Sequence, residues 1–114
     1  MNNKFQIASL LIAYRYVKDQ SQTDVSKILN VSTQQIQKYE KMKNEISAIN
    51  LLNFCNFYQI NLDNFQYGDC YQVLDGADIS LAKKEKALNI IEKLYYEKIE
   101  PKLNQHIEVS NDKS

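Results

Sequence analysis

The chain has 114 residues, 44% of them hydrophobic, with 14 Lys and Arg balanced by 14 Asp and Glu, which describes a single soluble domain with an appendage and excludes a disordered or strongly basic protein. Two Gly and one Pro leave little turn chemistry for hairpins, so an all-α fold is expected. No run approaches the roughly 18 apolar residues of a membrane span, and the N-terminus lacks the flank and cleavage site of a signal peptide, which predicts a cytoplasmic protein with no membrane partner.

Phe5, Ile7, Ala8, Leu10, Leu11, Ile12, Tyr14 and Val17 form the wide apolar face of a first helix ending near Lys18 and Asp19. Ser21 stands three residues before Asp24, the spacing of a capping box, and opens a second helix whose buried stripe is Val25, Ile28 and Leu29. Ser26 is small enough for close helix approach. Asn30 follows, a residue that tolerates the left-handed conformation of a tight turn. Ser32 is the N-cap of a third helix, with Gln35 placed to complete a capping box and Val31 placed to staple onto Ile36. At about 100° per residue, Ile36, Tyr39 and Glu40 share one side of this helix. Gln34, Lys38 and Lys41 lie opposite, with Thr33 and Gln37 at the margin.

The same staple pattern places Ile46 before Ser47 with Leu51 following, and Ile60 before Asn61 with Phe65 following, so two more helices are expected. The fourth, about Ser47 to Tyr58, turns Leu51, Leu52, Phe54, Cys55 and Tyr58 inward. The short fifth contributes Leu62, Phe65 and Tyr67. Residues 68–79 read as a connector of turn residues around Tyr71 to Leu74, a piece that either docks or forms a brief extended segment. From Ser80 an amphipathic helix runs to about residue 109 with Leu81, Leu88, Ile91, Leu94, Tyr95 and Ile99 on a stripe, ended or kinked near Pro101. Residues 110–114 read as a disordered tail.

No arrangement of residues suits catalysis. Cys55 and Cys70 have neither CxxC spacing nor a nearby His, so no metal site is expected, and His106 lacks the partners of a nucleophilic triad. Asp75-Gly76 alone is a turn, not a phosphate loop. A non-enzymatic protein without a cofactor is the expectation.

Two short helices joined by a tight turn, the second with a polar outer face, have the layout of a helix-turn-helix. Alone, a polar helix face is a solvated surface. Set after the second helix and turn, its amides, hydroxyl and amines match base edges: Gln pairs bidentately with adenine, Lys donates to guanine and Thr touches a thymine methyl. The zero net charge also hides an asymmetry. Residues 1–67 hold seven Lys and Arg against five Asp and Glu, a balance of plus two, and Lys38, Lys41 and Lys43 follow the polar tip of the third helix.

Residues 8–66 resemble the Cro/repressor-type helix-turn-helix proteins, the XRE family. The likeness rests on Arg15, Gln22, the NVS turn, the string QQIQKYEK from Gln34 to Lys41, and NEIS from Asn44 to Ser47. It implies a five-helix, lambda-repressor-like domain over residues 1–67 whose third helix enters the major groove of double-stranded DNA, with Gln22 and the loop after the third helix on phosphates. It also implies an internal ion pair between Arg15 and Glu40. Thr33, Gln34 and Lys38 are then the first base-reading candidates, Gln37 the next, and Lys41 and Lys43 phosphate contacts. Where the family usually has glycine this chain has Asp19 and Met42, and Gln20 replaces an apolar residue. Met42 is thus expected to alter the loop carrying Lys43, with Asn44 a candidate for the left-handed position.

The C-terminal stripe packs either on its own domain or on a second copy, in which case Leu88, Ile91, Leu94 and Tyr95 form the seam of a homodimer on a pseudo-palindromic operator. The leading expectation is a sequence-specific transcriptional regulator acting as a repressor. The alternative is an antitoxin or adaptor on the same fold that binds a protein partner through the C-terminal helix.

Overall fold

A computed structural model describes residues 3–61 and 69–101. Those residues form six helices: α1 (Asn3–Val17), α2 (Gln22–Leu29), α3 (Thr33–Glu40), α4 (Ala48–Tyr58), α5 (Asp69–Gly76) and α6 (Leu81–Lys98). There is no strand among them, and none of the helices is long and apolar enough to cross a membrane.

Four of the helices start on a serine. The Ser21, Ser32, Ser47 and Ser80 hydroxyls each accept the backbone N–H three residues on, from Asp24, Gln35, Asn50 and Lys83. At α2 the box is complete, because the Asp24 carboxylate accepts the Ser21 N–H at 2.9 Å. These hydrogen bonds also hold the Asp24 carboxyl below its ordinary pKa, the Ser21 backbone first and its hydroxyl second.

The exits of α1, α2, α3 and α4 share one motif. Asp19, Asn30, Met42 and Gln59 take positive φ of 54°, 54°, 61° and 56°. In each case the following N–H reaches five residues back: Gln20 to Arg15, Val31 to Ser26, Lys43 to Lys38 and Ile60 to Cys55, at 2.8 to 3.0 Å. This is the Schellman closure, usually made by glycine. Asn30 is the position expected. Met42 itself, not Asn44, holds the left-handed conformation after α3, so the exit still makes the Schellman closure at the cost of placing a Cβ in that region.

Two apolar clusters share α1. Leu10 and Leu11 enter the first with Val25, Leu29, Ile36, Tyr39, Phe54, Cys55 and Tyr58. Phe5, Ala8, Ile12 and Ala13 enter the second with Cys70, Leu74, Ala87, Ile91 and Leu94. The expected inward set of α4 needs one change, because Leu52 is 54% exposed while Phe54, Cys55 and Tyr58 are buried.

The segment read as a connector contains a helix, α5. Cys70 and Leu74, four residues apart, lie on one face of it and are buried against α1 and α6. Tyr71 to Leu74 thus docks, but as helix and not as extended chain. A four-residue apolar run carries too little periodicity to tell the two apart. The expected helix with Leu62, Phe65 and Tyr67 and the tail at 110–114 lie outside the described residues.

The stripe of α6 packs inside the chain. Ile91 is fully buried and Leu94 is 6% exposed, and Leu88 and Tyr95 are half-buried against the same cluster. The Phe5 and Tyr95 rings meet edge to face at 5.6 Å. Of the two packings left open for this stripe, Ile91 and Leu94 follow the first, as core residues of their own chain, which removes them from the candidate dimer seam. Leu81, expected on the stripe, is 70% exposed.

Candidate nucleic-acid interface

The register of α3 is fixed from beneath. Ile36 and Tyr39 are buried in the first cluster and Glu40 is 6% exposed, so the helix cannot rotate without exposing apolar area and a paired charge. Arg15 donates to Glu40 through Nε and through its second terminal nitrogen, both at 2.8 Å, a bidentate pair that ties α1 to the last turn of α3. Burial would lower the Arg15 pKa, but the hydrogen bonds and charge of Glu40 outweigh it and raise it. The ion pair implied by the resemblance is therefore present in the structure.

With that face committed, Gln34, Gln37 and Lys38 point to solvent along α3, and Lys41 and Lys43 are exposed just beyond it. Lys43 is placed by its own backbone, whose N–H donates to the Lys38 carbonyl at 2.8 Å in the Schellman closure. The amide of Asn44 donates to Gln35 Oε1 at 3.4 Å. Gln35 thus braces the exit loop instead of completing the expected capping box, of which only the Ser32 half forms.

Two candidates are engaged more than the sequence suggests. The Gln22 amide nitrogen donates to Glu40 Oε1 at 3.2 Å, so this half-buried side chain extends the Arg15–Glu40 pair, whereas a free phosphate donor was expected. Thr33 is half-buried at the α2–α3 junction, where its hydroxyl donates to Thr23 Oγ1 at 3.3 Å and lies 3.4 Å from Ser26 Oγ. Thr23 itself is exposed in the first turn of α2, beside the start of α3. Sequence reading passed over it, although a hydroxyl one residue after Gln22, at a helix N-terminus, is the local signal for an anion contact.

The surface is a row of amides, hydroxyls and amines carried by a helix that three buried residues hold in place, the chemistry that reads base edges and phosphates in a major groove. Comparison with curated proteins and with solved structures finds no match. Residues 19–65 match the family model described as Helix-turn-helix, a stretch that begins at the α1–α2 turn and includes the whole of α2, α3 and α4. Residues 19–65 of the chain are thus similar to a helix-turn-helix domain, in agreement with the geometry of α2 and α3.

Proposed function

We propose that the protein is a sequence-specific transcriptional repressor that inserts α3 into the major groove and occludes its operator. The supporting observation is the register of α3: Ile36, Tyr39 and Glu40 are buried, which leaves Gln34, Gln37 and Lys38 turned outward as base readers. Thr33 and Thr23 contact the sugar-phosphate edge at the start of the helix. Lys41 and Lys43 neutralise phosphates at its end. Gln22 acts through Glu40, fixing the angle at which α2 presents α3.

Binding as a pair of copies to a pseudo-palindromic operator belongs to the same proposal. The buried residues of α6 cannot supply its seam, and the exposed Ile49, Leu52 and Phe57 of α4 offer apolar area that they do not. Selection of bound duplexes from a random pool tests the whole reading. A recovered palindrome supports sequence-specific binding by two copies, a single short motif supports one copy, and absence of enrichment removes the proposal.

A further inference from the structure

Between the exit of α3 and the outer face of α6 lies a groove of about 460 Å³. Its cations come from two distant parts of the sequence: Lys41 and Lys43 from the α3 exit, and Lys93 and Lys98 from α6. Two carboxylates also line it, and both are partnered. Glu40 is held by Arg15 at 2.8 Å, and Glu97 lies 3.9 Å from Lys93. Four lysines, Lys93 among them already 3.9 Å from Glu97, against two glutamates leave the lining with a formal surplus of two positive charges (four minus two), in a chain whose formal charge is zero.

The two halves of the groove are fixed relative to each other. Met42, at the turn of the α3 exit, packs against the cluster that contains Ile91 and Leu94 of α6. At the other end of α6, Lys83 reaches Asp19 in the α1–α2 turn at 2.7 Å. The stretch of α6 that carries Lys93 and Lys98 is therefore held beside the α3 exit.

We propose that α6 is a second DNA-backbone contact: Lys93 and Lys98 take phosphates flanking the site read by α3, continuing the line begun by Lys41 and Lys43. This rests on the reading of α3 as the DNA-reading helix, and it gives the C-terminal helix a direct share in binding. Residues 68–114 carry minus two as a whole, so the contribution of α6 is local: Lys93 and Lys98 stand in the same groove as Lys41 and Lys43. The contact is with phosphate alone, so it adds affinity and salt dependence without changing which sequence is preferred.

The test compares the full chain with Lys93→Gln/Lys98→Gln on a mixed-sequence duplex of about 40 base pairs. Lys86→Gln, an exposed α6 lysine outside the groove lining, is the control. Each phosphate contact contributes about 0.9 to the slope of log K against log salt, so the double variant is expected to lose nearly 2 from that slope. Its drop in affinity between about 50 and 200 mM salt shrinks roughly three- to four-fold for each phosphate no longer neutralised. The control keeps the parental slope. A double variant with an unchanged slope overturns the α6 contact and leaves the α3 reading standing, as does a control whose slope falls as much. No binding by the unaltered chain at low salt overturns both.

Discussion

Arg15 and Glu40, 25 positions apart, are joined by two hydrogen bonds of 2.8 Å in a site where their side chains are 11% and 6% exposed. The pair is the mechanical link between α1 and α3. Glu40→Gln keeps the shape but leaves the guanidinium without a counter-charge, and it is expected to cost about 3 kcal/mol in urea unfolding. Arg15→Met combined with Glu40→Leu, which removes both charges, should be more stable than either single change.

On the proposed function, Gln34 reads a base and Lys43 holds a phosphate, and the two variants should behave differently. Gln34→Ala is expected to cost about 1–3 kcal/mol on a selected duplex and little on random DNA, with relaxed preference at one base position. Lys43→Ala should weaken both duplexes equally. Equal losses on the two duplexes for Gln34→Ala would remove it from the base readers.

Met42 pays for its left-handed backbone with packing. Its φ of 61° favours glycine, yet its side chain is half-buried against the cluster containing α6. Met42→Ala loses the packing and keeps a Cβ in the disfavoured region, whereas Met42→Gly loses the packing and relieves the strain. Thermal unfolding should therefore rank the glycine variant above the alanine variant by about 1 kcal/mol, the reverse of their order inside a helix.

Ile91 distinguishes a core residue from a dimer seam. Ile91→Ala is expected to lower stability by about 2–5 kcal/mol, because it opens a cavity in the cluster between α1 and α6. The sedimentation coefficient at fixed concentration should not change while the variant remains folded. A change in association state with stability intact would return Ile91 to an intermolecular role.

Asp24 gives the protein one feature of its acid limb. Its folded pKa lies below the ordinary 3.8, so the stability it contributes is present above that value and is lost as pH falls through the lower folded value. Asp24→Asn should be less stable than the parent at neutral pH. The gap should close in unfolding curves taken as the pH drops below about 4.

How much of this was legible depended on the kind of signal. Helix entrances are written in side chains, and Ser21, Ser32, Ser47 and Ser80 marked theirs. Helix exits are usually written in glycine, and here Asp19, Met42 and Gln59 do that work; the resemblance pointed to the first two and nothing in composition pointed to Gln59. The outward face of α3 followed from periodicity alone. The engagement of Gln22 with Glu40 and of Thr33 with Thr23 did not, since it depends on where α2 and α3 cross. The stripe on α6 showed that its apolar residues are covered but not by what, and the partner turned out to be α1, more than 70 residues upstream.

The two-sided burial of α1 sets a limit on how the chain can be divided. A cut near residue 68 would strip one flank of that helix and turn Phe5, Ala8 and Ile12 to water while the other flank stayed packed. The helix-turn-helix part is therefore not a cassette to be lifted onto another protein. A fusion or truncation that omits α5 and α6 would need a substitute surface for α1, or it would trade a folded chain for an aggregation-prone fragment.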